Sequence, residues 1–104
     1  MPYSPQLYRR QYKRYEVDGQ ADLLVDNVLE RPSILKDLSV RGAGIISDCP
    51  LSPGSEIGIL MCAPLLFKGQ LQRRARVVWC NEIGNDLWRV GLDLDQENII
   101  SFER

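Results

Sequence analysis

Histidine is absent from this chain of 104 residues, and cysteine occurs only three times, at widely spaced positions. Without histidine and without a C-x-x-C pair, the sequence lacks the common ligand set of a zinc site. It also lacks the side chain that serves most often as a general acid or base. The sequence also contains no phosphate-binding loop and no evident pair of carboxylates that could support catalysis. We therefore expect no metal, no cofactor, no catalytic residues and no enzymatic activity.

Long apolar runs and a strong net charge are missing too. No stretch of about 18 apolar residues is present, so we expect no membrane span, and the N-terminus has no apolar segment typical of a secretory signal. The net charge is −1, whereas a DNA- or RNA-binding domain is usually basic. We expect free thiols, a cytoplasmic location and no nucleic-acid partner.

The positive charge that is present is concentrated in short segments and is mostly arginine. Ten of the 13 basic residues are arginines, whose planar fork binds a phosphate or a guanine edge through two hydrogen bonds. One cluster comprises Arg9, Arg10, Lys13 and Arg14, and a second comprises Arg73, Arg74 and Arg76. The second cluster and Arg89 are interpreted either as a further basic face or as a set in which two arginines are solvated and paired with Glu82, Asp86 or Asp93.

From Tyr15 onward, short alternating apolar segments are separated by turn residues, which is typical of an all-β sandwich or barrel. Asp18-Gly19 interrupts the first segment, and we interpret Gly19 as a bulge. We place Trp79 and Trp88 in the core or at the barrel rim, in preference to a platform on which a ligand stacks. We expect strands at 16–25, 33–38, 42–46, 57–61, 66–80 and 87–94, with a break at Pro32 before the second strand.

A chain of this length forms one domain. Six antiparallel strands would protect their edges best by closing into a small barrel. We divide the chain into a flexible N-terminal arm, residues 1–14, and a barrel with a terminal helix, residues 15–104. In the helix Asp95 is a plausible N-cap, and Leu94 and Ile99 are spaced as a hydrophobic staple.

Two short motifs lie in the first half of the chain. Arg10 and Arg14 form R-x-x-x-R, and Asp37, Ser39 and Gly42 form D-x-S-x-x-G. With ten arginines, the first motif is expected about once by chance, so it is also compatible with a solvated basic arm. The second is also compatible with a turn in which Asp37 and Ser39 bond nearby backbone and Gly42 has a positive φ.

In this order, and with the closing segments 76–79 and 88–94, the motifs resemble those of the PilZ domain family. The likeness covers roughly residues 9–94. It implies a six-stranded antiparallel barrel that binds the bacterial second messenger cyclic di-GMP. The implied binding residues are Arg9, Arg10, Arg14, Asp37, Ser39 and Gly42, with Arg41 as a secondary candidate.

The resemblance implies a mechanism without catalysis. The ligand carries two phosphates, so it would relieve the repulsion among the arm's cations and order the arm against the barrel. The ordered arm would then pass the signal to a protein partner. One alternative is a PilZ-like adaptor that binds no nucleotide and acts by protein contact alone. Another is a small barrel for single-stranded nucleic acid, against which the acidic balance argues.

Overall fold

The computed structural model describes residues 13–25 and 28–94. Most of the predicted arm, including Arg9 and Arg10, lies outside the described residues, and so does the predicted helix at 95–104. Both expectations therefore remain predictions.

The described residues form six strands and contain no helix. The strands are β1 (Tyr15–Val25), β2 (Val28–Leu38), β3 (Gly42–Ser47), β4 (Glu56–Cys62), β5 (Leu71–Gly84) and β6 (Leu87–Leu94). Every pair of neighbouring strands is antiparallel, and the sheet closes in the order β1-β2-β3-β6-β5-β4, because β4 pairs with both β5 and β1. The predicted closed barrel is confirmed.

Alternating apolar residues from all six strands fill the barrel. The side chains of Leu35, Ile45, Ile59 and Val90 are fully buried, and each such burial stabilises the fold by roughly 1.5–3 kcal/mol relative to an exposed position. Arg73 also points inward and is buried, with its Nη2 3.4 Å from the carbonyl oxygen of Val40. This contact with Val40, in the turn after β2, places the Arg73 guanidinium at one end of the barrel.

The second strand is longer than predicted, because Pro32 lies inside it instead of before it. Pro32 is opposite Asp22 of β1, whereas pairing of β2 with β3 begins only at Ile34. At Pro32, β2 thus has one neighbouring strand, and proline is tolerated where one side of a strand is unpaired. The predicted break at this residue is wrong.

The fifth strand is shifted towards the C-terminus relative to the prediction. Residues 63–70 form turns and irregular backbone, in which Gly69 has a φ of 72°, so apolar Leu66 and Phe67 do not begin a strand. At its other end β5 continues to Gly84, which pairs with Leu87 across a two-residue turn. Asp86 in this turn has a φ of 57°, a left-handed conformation that aspartate adopts more readily than most residues.

Two irregularities in the strands affect which side chains face out. The register between β1 and β2 shifts between Glu16 and Gly19, which confirms the predicted bulge. In β5 the register against β6 shifts between Val77 and Trp79. Burial alternates up to Val77, and then Val78 and Trp79 are both exposed. The bulge at Val78 therefore places Trp79 on the outer face, and its predicted inward position is wrong.

Candidate functional site

The second motif extends from the end of β2 through the β2–β3 turn. Hydrogen bonds between Ser39 and Gly42 close this turn. The amide of Ser39 donates to the carbonyl of Gly42 at 2.8 Å, and the amide of Gly42 donates to Ser39 Oγ at 3.1 Å. Ser39 thus bonds nearby backbone as expected. Gly42, however, does not have the positive φ that the sequence suggested.

Gly42 brings the turn close to β6. A Cβ atom at this position would lie 3.1 Å from the carbonyl oxygen of Leu92, tighter than usual, and at an ordinary contact distance of 3.9 Å from Arg14 Nη1. Glycine therefore favours the close approach of the turn to β6, and Arg14 lies beside it. The two motifs meet at this residue.

Asp37 does not bond the backbone of the turn but binds two arginines. Arg14 Nη2 donates to Asp37 Oδ1 at 2.7 Å, and Arg89 Nη2 donates to Oδ2 at 2.9 Å. The Asp37 side chain is 14% exposed, while Arg14 and Arg89 are 43% and 36% exposed. One carboxylate therefore neutralises only one of two cations, and the group keeps a net positive charge that attracts anions.

Two glycines next to Asp37 make a shallow region on the outer face of the barrel. In the strand register, Asp37 is opposite Gly44, Gly44 is opposite Gly91, and Gly91 is opposite Trp79. A Cβ on Gly44 would lie 2.7 Å from Asp37 Oδ2, and a Cβ on Gly91 would overlap the Trp79 indole. The Asp37 carboxylate thus lies over Gly44, and the Trp79 indole lies over Gly91, at the two ends of this region. We call these four residues the glycine row.

A cavity of about 320 Å³ opens beside this row. It combines cationic, polar and aromatic groups from three strands and the turn. Its lining includes Arg14, Ser39, Arg41, Gly42, Trp79 and Asp93. This volume is near the lower end for ligand pockets. The arginines can bind an anion, and the Trp79 ring, 41% exposed, can stack on a planar base.

A second cavity, of about 500 Å³, is lined by Asp37. Arg89, Glu16, Lys36 and the exposed Leu65 also line it. Neither Asp37 nor Arg89 is among the residues that line the first cavity. The Asp37 carboxylate therefore belongs to the second cavity, while its partner Arg14 lines the first.

The structure brings together part of the predicted site. Arg14, Ser39, Gly42 and the secondary candidate Arg41 line the first cavity, and Asp37 contacts it through Arg14. Arg9 and Arg10 lie outside the described residues. Of the other arginines, Arg76 pairs with Glu56 and Arg89 pairs with Asp37, so neither has the partner that the sequence suggested.

Sequence reasoning missed Gly44, Gly91, Trp79 and Arg89. A signal existed for the glycines, because a glycine inside a strand often marks the close approach of another group. No signal was available for Trp79, whose outward position depends on the bulge at Val78. Arg89 could be assigned only once the pairing of β3 with β6 placed it near Asp37.

Clusters of metal ligands and long apolar helices are both absent from the part of the chain that is described. Among residues 13–25 and 28–94, no group of three or more cysteine and carboxylate side chains is arranged to hold a metal ion. None of these residues belongs to a helix of the length and hydrophobicity that a membrane span requires.

A family model for the PilZ domain matches residues 8–103. Comparison with curated proteins gives no match. Among solved structures, the chain is similar to the Bacillus subtilis inhibitor of motility, MotI/DgrA, with a TM-score of 0.66 at 17% identity. The similarity covers 84% of this chain but only 43% of that one. At this level of identity it supports the barrel fold alone.

Proposed function

Since the chain belongs to the PilZ domain family, we propose that it is a receptor for cyclic di-GMP, which binds in the cavity beside the glycine row. The observation that carries the proposal is that Arg14 of the first motif and Ser39 and Gly42 of the second line one cavity. The motifs are more than 20 residues apart in sequence. If the first motif were only a solvated arm and the second only a turn, nothing would favour their position at the same cavity.

The chemistry of the cavity fits a guanine dinucleotide. In the proposed complex, Arg14 binds a phosphate or the O6 and N7 atoms of a guanine through its fork. Asp37 accepts from guanine N–H donors, Ser39 offers a hydroxyl, and Trp79 stacks on a base. The lining also includes Asp93, which accepts hydrogen bonds but repels phosphate. We therefore place a guanine near Asp93 and the phosphates nearer Arg14 and Arg41.

The size of the cavity explains why further arginines are needed. At about 320 Å³ it is small for a whole cyclic dinucleotide, given that drug-sized ligands occupy roughly 300–1,000 Å³. We propose that Arg9 and Arg10 complete the binding site from the N-terminal side. Ligand binding would then fix the segment before β1, and a protein partner would recognise the fixed segment.

Calorimetric titration of the purified chain with cyclic di-GMP tests this proposal. We expect saturable binding by the wild type, at least tenfold weaker binding by Arg14→Ala, and no binding of GTP at the same concentration. Arg31→Ala is the matched control, because Arg31 also forms an exposed ion pair, with Asp48 at 3.1 Å, but does not line the cavity.

The control separates a specific contact from a general loss of positive charge. Equal weakening by Arg14→Ala and Arg31→Ala would indicate non-specific attraction and contradict the proposal. Absence of heat, together with an unchanged melting temperature in excess ligand, would also contradict it. That result would favour the adaptor, which acts through protein contact alone.

A further inference from the structure

Arg89 belongs to neither motif and does not line the first cavity, yet it bonds the acidic residue of the second motif. Its Nη2 lies 2.9 Å from Asp37 Oδ2, while Arg14 occupies the other oxygen, Oδ1, at 2.7 Å. The same carboxylate thus has one partner just before β1 and one within β6.

The two partners of Asp37 differ in how they are held. Arg14 precedes the first strand and is the more exposed of the two, at 43%. Arg89 lies within β6, between β3 and β5, opposite Ile46 and Asn81. Arg14 can therefore leave the carboxylate by turning towards the cavity that it lines. Arg89 is fixed by strands on both sides.

Leaving the carboxylate without a partner would be costly. The Asp37 side chain is only 14% exposed, and removing the sole partner of a largely buried charge is strongly destabilising. If Arg14 were the only partner of Asp37, a ligand would have to compete with this ion pair for the same guanidinium. With Arg89 present, Asp37 keeps a counter-ion when Arg14 turns away.

We propose that Arg89 is a positioning residue, which holds Asp37 over Gly44 and so releases Arg14 to bind the ligand. This inference rests on the proposed function, because the released arginine binds cyclic di-GMP. Arg89 acts through Asp37 and does not contact the nucleotide. In the free protein Arg14 and Arg89 both bond the carboxylate, and in the complex Arg89 is its only arginine partner.

The first experiment tests the shared carboxylate without ligand, by urea unfolding of Arg14→Gln, Arg89→Gln and the double variant. Either arginine alone can serve Asp37, so we expect each single change to lower the unfolding midpoint slightly. The decrease in the unfolding midpoint of the double variant should exceed the sum of the decreases in the two single variants. The matched control is Arg14→Gln combined with Arg31→Gln, whose losses should add, because Arg31 pairs with a different carboxylate. Additive losses for Arg14 and Arg89 would overturn the inference.

The second experiment measures cyclic di-GMP affinity. We expect Arg89→Gln to bind about tenfold more weakly, the effect of roughly one charge-assisted hydrogen bond. Arg89→Lys should remain within a few-fold of the wild type, because only Nη2 of Arg89 reaches Asp37. Wild-type affinity in Arg89→Gln would contradict the proposal.

A variant of Asp37 separates positioning from direct contact. Asp37→Asn keeps an acceptor oxygen but needs no counter-ion, so adding Arg89→Gln to it should change the affinity less than twofold. The same tenfold loss in this background would make Arg89 a ligand contact and overturn its assigned role. If Asp37→Asn alone abolishes binding, the unfolding experiment decides.

The two proposals fail in different ways. No binding by the wild type refutes the receptor function, and the ligand part of this inference with it. Binding by the wild type together with additive unfolding losses refutes only the role of Arg89.

Discussion

Replacing Gly44 with alanine should destabilise the barrel, although alanine is the better strand residue at an ordinary backbone conformation. The added Cβ would lie 2.7, 3.0 and 3.1 Å from Asp37 Oδ2, Oδ1 and Cγ. Carbon and oxygen atoms cannot approach so closely, and the Asp37 side chain must rotate away. Its rotation removes the carboxylate from both Arg14 and Arg89.

The size of the effect follows from the bonds that are lost. Removing both arginine partners from a largely buried carboxylate costs about 3 kcal/mol, the lower end of the range for breaking a buried ion pair, because both arginines are partly exposed. Replacing glycine by alanine returns roughly 0.5–1 kcal/mol by restricting the unfolded chain. The net loss is about 2 kcal/mol, which corresponds to a fall in melting temperature of roughly 8–16 °C for a domain of this size.

Calorimetric melting of Gly44→Ala beside Gly84→Ala measures this loss. Gly84 also lies in a strand, but a Cβ there meets no atom within 4 Å, so this control should melt within a few degrees of the wild type. Combining Gly44→Ala with Asp37→Asn should recover part of the loss, because the amide needs no ion pair. A melting temperature for Gly44→Ala equal to or above that of the control would refute the reasoning.

Two further predictions concern the other end of the glycine row and the core. In Gly91→Ala the new Cβ displaces the Trp79 indole, and we expect red-shifted tryptophan emission; no shift relative to Gly84→Ala would contradict the packing described. Ile45→Ala should lower the free energy of unfolding by about 2–5 kcal/mol, because it removes a fully buried side chain. Ile83→Ala, at a position 52% exposed, should change it by less than about 0.5 kcal/mol in the same urea titration.

The barrel was predictable because apolar and polar residues alternate in short segments. This alternation shows which side chains of each strand face the core, and the number of such segments gives the number of strands. The segments around Val17, Ile57 and Val90 each showed this period of two, and six such segments favour closure. The strand boundaries were less accessible. Pro32 was interpreted as a break because a sequence does not show which side of a strand is unpaired.

Within the candidate site, only the residues that belong to a sequence motif were predictable. Ser39 and Gly42 were identified from spacing, and the structure places them beside Arg14. The contribution of Trp79 depends on one extra residue in β5, which reverses the alternation after Val77. The contact between Asp37 and Arg89 joins residues 52 positions apart, and it follows from strand order, which no local pattern encodes.

The glycine row also determines how closely the core and the outer face are linked. At Gly44 and Gly91 the barrel wall has no outward side chain, so only the thickness of the backbone separates the region between Asp37 and Trp79 from the interior. The neighbours of these glycines along their strands, Ile45 and Val90, are fully buried. Any change in their volume shifts β3 or β6 directly, and with them the distance between the carboxylate and the indole. The packing of the core thus determines the width of the candidate site.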